Sequence, residues 1–159
     1  MTTADLLHDA HQRTHRCLAR LLEQADALDP SVLHREVEGF GYPTVQLQVH
    51  HLLGAEQYWV GVLEGEIRID SAPESYPDIA SLSVFRTQVA GATAAYLATG
   101  PDLDTQRTVT TWRGEPLELV PRHAVLRLIT HAHHHLGQAQ AMLRLMGHPV
   151  GALDFPLDP

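Results

Sequence analysis

Four segments of the chain carry apolar residues at the three- and four-residue spacing of an α-helix, and proline or glycine separates them. The spacing predicts helices over about residues 5–28, 44–64, 79–98 and 121–147. Residues 66–78 contain two prolines and no sustained period, so we expect a long irregular crossover between the second and third helices. Four long helices must bury their apolar stripes against one another, which implies a helical bundle.

The segment before the last predicted helix has a different pattern. In TVTTWRGEPLELVP, β-branched and alternating residues lie on either side of Arg113-Gly114-Glu115, which predicts a small β-hairpin. Pro121 is a favourable first-turn residue for the helix that follows. We therefore expect an all-α protein with one small β insertion. A length of 159 residues fits a single domain spanning residues 1–159.

Composition excludes several classes of partner. A formal net charge of -8 with only 11 Lys and Arg argues against nucleic acid, which is bound mainly through clustered basic side chains. No apolar run approaches the roughly 20 residues that a membrane span requires, and the first residues lack a secretory pattern. We therefore expect a cytoplasmic protein without a membrane partner. The lone Cys17 has no partner for an internal disulfide, and we assign it no redox role.

The chain is rich in histidine, with 12 in total and four of them in HAHHH at positions 131–135. On the predicted last helix, His131 and His135 share a stripe with apolar residues, so both should point inward. His133 and His134 fall on other faces. Two imidazoles four residues apart can bind one metal ion, although a histidine pair alone is weak support in a chain so rich in histidine.

A third inward histidine comes from the second predicted helix. His51 shares its stripe with Leu47, Ala55 and Tyr58, whereas His50 shares a polar stripe that should meet solvent. Three imidazoles would leave at least one coordination position open, as catalytic metal sites require. We therefore predict a divalent metal bound by His51, His131 and His135. The alternative is that these histidines are core residues satisfied by hydrogen bonds.

The remaining polar residues have ordinary interpretations. His8, His11 and His15 on the first helix are expected at the solvent or at the edge of the core. Glu56 lies off the metal-facing stripe and should cap or pair at the edge, while Gln138 either orients a ligand or satisfies the core. The chain has no HExxH, no GxSxG, no phosphate-binding glycine loop and no cysteine set for zinc. No catalytic or cofactor-binding residue is identified.

Three stretches resemble the DinB-like (DinB/YfiT-like) superfamily of metal-dependent enzymes. PTVQLQVHHLLGAEQYW resembles its second-helix motif, ITHAHHHLGQAQAMLRLMG its closing motif, and VTTWRGEPLELVPRHAV its hairpin and helix entry. The resemblance implies an antiparallel four-helix bundle with a long crossover, metal ligands at His51, His131 and His135, and a homodimer. It implies a divalent metal, zinc or nickel first, with iron or manganese as alternatives. Leu136 stands where the family usually has arginine, so that arginine's role has no counterpart here.

The resemblance suggests what such a site does. The first hypothesis is a thiol-dependent S-transferase, in which the metal holds a low-molecular-weight thiol such as bacillithiol or mycothiol and presents it to a small electrophile. The second is a hydrolase or isomerase that uses a water molecule of lowered pKa. The third is a non-catalytic, stress-associated metal-binding protein.

Overall fold

The computed structural model of the chain describes residues 2–158 and is mainly helical. Its four long helices are α1 (Thr3–Asp26), α2 (Val45–Glu64), α3 (Ile79–Ala98) and α4 (Pro121–Leu145). Two short strands, β1 (Arg107–Thr110) and β2 (Pro116–Leu119), form an antiparallel hairpin between α3 and α4. The four predicted helices and the hairpin before the last of them are confirmed.

The helix ends follow local chemistry. The Thr44 hydroxyl accepts a hydrogen bond from the Leu47 amide at 3.1 Å, which caps the start of α2. Gly65 ends the same helix with a φ of 80°, a backbone conformation that favours glycine. Helix α1 ends at Asp26, two residues before its predicted end, and Leu28 packs against the core from the following loop.

The core consists of two apolar clusters stacked along the helices. One cluster includes Leu18, Leu53, Phe85 and Met142 and occupies the end of the helices that is near the first loop. The other includes residues of the opposite end of each helix: Leu7, Val60, Leu97 and Leu128. Between the two clusters, each helix places polar residues in its interior-facing positions. These residues form a polar layer: His11, Thr14 and His15 on α1, Glu56 on α2, Thr93 on α3 and His135 on α4.

Helix α2 is covered on most of its surface. It packs against α3 and α4, and also against β1 and two short 3₁₀ turns at Pro30–His34 and Pro73–Ser75. A helix with only one face packed on the core would expose its polar side chains to solvent. In α2 several polar side chains are buried instead: Gln46, Gln48, His50 and Glu56. Buried polar groups need hydrogen-bond partners inside the protein.

The hairpin contacts the C-terminal end of α2 through a hydrogen bond. Arg107 of β1 donates a hydrogen bond of 2.8 Å to the carbonyl oxygen of Leu63. Gly114 has a φ of 75° in the turn, and the backbone amide of Trp112, which follows β1, donates a hydrogen bond to the Tyr58 hydroxyl of α2. The hairpin therefore places an aromatic side chain beside the histidine-bearing helix. No helix within residues 2–158 is both long enough and apolar enough to cross a membrane.

The close return of the chain after α2 makes Gly61 intolerant of a side chain. A Cβ at Gly61 would collide with the backbone carbonyl oxygen of Glu66, whereas a Cβ at Gly91 in α3 would meet open space. We expect Gly61→Ala to lower the free energy of unfolding by about 1 to 3 kcal/mol, the usual cost of overpacking. Gly91→Ala should raise it by about 0.5 to 1 kcal/mol through helix propensity. Urea unfolding of both variants checks this, and equal stability of the two would contradict it.

Candidate metal centre

Three histidines from two helices converge at one point. One ligand nitrogen from each of His51 on α2 and His131 and His135 on α4 lies within 4.8 Å of the other two. The Nε2 atoms of His131 and His135 are 3.1 Å apart. Metal–nitrogen bonds of about 2.0 to 2.1 Å place neighbouring ligand nitrogens about 3 Å apart. The separation is therefore the one that two ligands of a single ion would have.

Gln48 fixes the tautomer of His135. The side-chain oxygen of Gln48 accepts a hydrogen bond of 2.6 Å from Nδ1 of His135, and its amide nitrogen donates to the Tyr42 carbonyl at 2.9 Å. Because a carbonyl oxygen only accepts, the proton of the neutral ring lies on Nδ1. Nε2 of His135 is left with a lone pair directed towards His131. Metal-ligating histidines are commonly oriented by such a partner on the other nitrogen.

The protein keeps these imidazoles neutral. Burial and the neighbouring His131 together lower the pKa of His51 from 6.5 to about 4. Burial and the nearby His131 likewise lower the pKa of His135 from 6.5 to about 4. The pKa of His131 is lowered by burial and by Arg127. Neutral imidazole is the form that binds a metal, so the three rings are in the ligand state at neutral pH.

Two cavities meet at His51. A cleft of about 550 Å³ contains His51 in its wall and lies between α2, the crossover and the hairpin. A smaller cavity of about 240 Å³ is lined by His51 and His131 together with Trp59 and Arg127. The ring of Tyr42 stacks on His51 with centroids 3.9 Å apart, and it also borders the cleft. Small molecules therefore have two separate approaches to the histidine group.

The expectation that His50 meets solvent is wrong. His50 is 7% exposed, and its Nε2 lies 3.1 Å from Oδ1 of Asp70, a residue of the crossover. Tyr76 donates a hydrogen bond to the other oxygen of Asp70. The crossover packs on the polar stripe of α2 and replaces solvent there, with Gln46 donating to the carbonyl oxygens of Pro73 and Tyr76 at 2.6 and 3.1 Å.

Glu56 lies off the metal-facing stripe as predicted, but the expected edge or solvent positions of Glu56, His11 and His15 are wrong. Glu56 is 3% exposed in the polar layer, where His11 Nε2 lies 2.7 Å from Oε1 and His15 Nε2 lies 2.9 Å from Oε2. Thr93 donates a third hydrogen bond of 2.6 Å to Oε1. The cluster joins α1, α2 and α3 through one carboxylate. His8, by contrast, is half-buried on α1, consistent with the predicted edge position.

Hydrogen bonding stabilises the buried Glu56 carboxylate. Burial raises its pKa, but the hydrogen bonds from His11 and His15 outweigh burial and hold the pKa below its usual value. Burying an ion costs several kcal/mol, and three bonds of about 1.5 to 3 kcal/mol each offset that cost. The chain contains no lysine, and within residues 2–158 no arginine hydrogen-bonds to Glu56. The ionised carboxylate is therefore stabilised by hydrogen bonds from imidazole and hydroxyl groups.

Within residues 2–158, two histidine groups could hold a metal ion on proximity alone: His51 with His131 and His135, and His11 with His15 and Glu56. Their outer contacts differ. Nδ1 of His135 has a partner in Gln48, whereas Nδ1 of His11 and of His15 is buried without one. Since metal-ligating histidines usually donate their second N–H to a partner, the three-histidine group fits a metal better. It is also the group next to the cleft.

Fold and site together define a mainly helical protein with a three-histidine group suited to a divalent cation. The sequence matches the DinB family over residues 5–159. The chain belongs to the DinB family, as the resemblance of its helix motifs predicts. A search of curated proteins finds no match to the chain.

Removing the Glu56 carboxylate should destabilise the fold more than neutralising it. We expect Glu56→Ala to lower the free energy of unfolding by about 3 kcal/mol, because two imidazoles and a hydroxyl lose their acceptor. Glu56→Gln should cost less, since an imidazole can move its proton to the unpartnered Nδ1 and accept from the new amide. Urea unfolding measures both, and an Ala variant as stable as the parent chain would refute the structural role.

Proposed function

We propose that this DinB-family protein binds one divalent metal ion through His51, His131 and His135. The observation that supports it best is the 3.1 Å separation of the His131 and His135 Nε2 atoms, with the His135 tautomer set by Gln48. Because Nε2 of His135 carries a lone pair, either a proton on Nε2 of His131 or a cation lies between the two nitrogens at this distance. Zinc or nickel suits an all-imidazole donor set, and iron or manganese are alternatives that the same ligands accept.

We further propose that the site serves a thiol-dependent S-transferase acting on a small electrophile. A transferase needs room for two reactants, and the cleft and the smaller cavity both border His51. A divalent ion held by the three histidines would act as a Lewis acid that lowers the pKa of a thiol. The protein's own contribution is to keep its imidazoles neutral and to place an apolar cleft beside them, which limits competing hydrolysis by water.

Hydrolysis or isomerisation has less support, because it needs a general base near the metal. Glu56 is buried, but its carboxylate is engaged by His11, His15 and Thr93. Asp70 borders the cleft, but it accepts hydrogen bonds from Tyr76 and from the Ala72 amide and lies beside His50. Burial raises the pKa of Asp70, yet these bonds outweigh it and lower the pKa, which makes the carboxylate a weaker base.

Other properties stay predictions, some from the sequence itself and some from the resemblance. The helix pairs α1 with α3 and α4, and α2 with α3 and α4, are those of a four-helix bundle, and we propose the antiparallel DinB type with its long crossover. We also propose a single DinB-like domain, a homodimer, a cytoplasmic location and a small-molecule substrate. A sedimentation mass near that of one chain would contradict the homodimer.

Elemental analysis of the untagged protein tests the metal site. We expect close to one metal per chain in the parent, and loss of it in His51→Ala, His131→Ala and His135→Ala. His134→Ala is the matched control, because this exposed histidine is adjacent in sequence to a proposed ligand. Gln48→Leu should weaken metal affinity by about 10- to 100-fold, the usual effect of losing a ligand's orienting partner. Metal retained in all three alanine variants would refute the assignment.

Thiol binding is tested with cobalt-loaded protein. Adding bacillithiol or mycothiol should produce a saturable thiolate-to-cobalt charge-transfer absorption, because a thiol at an open position ligates the ion as thiolate. The His131→Ala variant, treated in the same way, should show no such band. Identical spectra with and without each thiol would refute the transferase proposal while leaving the metal site intact.

A further inference from the structure

The cleft beside His51 has predominantly apolar walls. Its volume is about 550 Å³, enough for a small organic molecule. Helix α2 contributes one wall, the first loop and the crossover a second, and the hairpin a third. The side chains that define it are mainly aromatic or aliphatic: Tyr42, Leu47, Ala55, Tyr58, Ile69 and Trp112.

Aromatic rings are concentrated at the mouth of the cleft. Trp112 is 59% exposed, and its backbone amide donates a hydrogen bond of 3.4 Å to the Tyr58 hydroxyl. Ile69, on the crossover, is 58% exposed. Tyr42 is already stacked on His51, so an aromatic surface extends from the rim to the histidine group. Large exposed apolar groups around a cavity are typical of a ligand site.

The cleft-lining residues that the structure describes include no arginine, and their basic groups are the imidazoles of His50 and His51. The one charged side chain among its lining residues is Asp70, within the part of the chain that the structure describes. Asp70 would repel an anion, and hydrogen bonds from Tyr76 and the Ala72 amide already occupy its oxygens. Two arginines lie outside these lining residues: Arg113 lies over the Trp112 ring at 4.9 Å, and Arg127 lines the smaller cavity and lies over the Trp59 ring at 5.4 Å. In the metal-free protein, a carboxylate inside the cleft would lose its hydration without gaining a guanidinium partner from the described walls.

We propose that the cleft binds an uncharged, flat aromatic molecule, with one ring face against the Tyr42 and Trp112 side of the cleft. The identification of this molecule as the electrophile of the reaction rests on the proposed transferase function. Binding itself depends only on the cleft walls and does not require a metal. Aromatic stacking and apolar burial select the ligand, and in the metal-free protein the lack of an arginine among the described lining residues disfavours anions.

A matched pair of probes tests the proposal: 2-naphthamide, which is neutral, and 2-naphthoate, which has the same shape and a negative charge. The chain has two tryptophans, Trp59 and Trp112, so their indole N–H signals in a nitrogen–proton correlation spectrum are assigned with Trp59→Phe. Zinc-loaded and chelator-treated samples are titrated separately, because a carboxylate can also ligate zinc directly. We expect naphthamide to shift the Trp112 signal in both samples and to bind about tenfold or more tighter than naphthoate to the metal-free protein.

Ile69→Asp places a second carboxylate at the mouth of the cleft and should weaken naphthamide binding about tenfold by unfavourable desolvation. Val84→Asp is the control, because Val84 is 56% exposed on α3 and lies outside the cleft. Equal affinity for the two probes in metal-free protein, a shift confined to Trp59, or equal effects of the two Asp substitutions would each overturn the proposal. These outcomes do not depend on whether the metal or thiol experiments succeed.

Discussion

The polar layer between the two apolar clusters constrains the rest of the structure. Polar side chains at this level face away from solvent, so each needs a hydrogen-bond partner within the protein. Glu56 meets this requirement by accepting hydrogen bonds from α1 and α3 at the same time. The apolar clusters on either side hold the helices together without fixing their rotation, because hydrophobic contact is non-directional. Hydrogen bonds to one buried carboxylate are directional and therefore specify which faces of α1, α2 and α3 meet.

The orientation of α2 links this layer to the histidine group. Glu56 and His51 lie on the same helix five residues apart, on different faces. When Glu56 points at His11 and His15, the other face of α2 presents His51 towards α4 and the cleft. A continuous helix is stiff over this distance. The hydrogen bonds to Glu56 therefore set the angle at which His51 approaches His131 and His135. The structural cluster and the candidate metal centre are thus two consequences of one helix rotation.

Much of this arrangement is predictable from sequence, and the failures have a common cause. Proline, glycine and the Thr44 cap located the helices, and helical periodicity brought His51, His131 and His135 together. The same reasoning misplaced His50 and Glu56 because it treated α2 as a helix with one inward face. Helix α2 is covered by α3, α4, β1 and the crossover, so nearly every face of it is interior. Periodicity distinguishes apolar from polar stripes, but it does not show that another segment covers the polar stripe.

A usable signal existed for two of the missed residues. His11 is four residues after Leu7 and seven before Leu18, which places it on the apolar stripe of α1. Glu56 is likewise four residues before Val60 and three after Leu53, in the apolar series of α2. A buried acid on one helix and a buried imidazole on another are complementary in hydrogen bonding. This complementarity predicts that Glu56 pairs with His11. Gln48 carried no comparable signal, because its importance depends on the loop carbonyl of Tyr42, whose position only the folded chain defines.

The Gln48 amide spans the space between two sides of the histidine group. Its oxygen holds His135, and its nitrogen holds the carbonyl of Tyr42, whose ring covers His51. The loop cannot lift away from His51 without breaking the bond that also restrains Gln48. The position of the His135 ring and the position of the Tyr42 loop are therefore coupled through a single side chain.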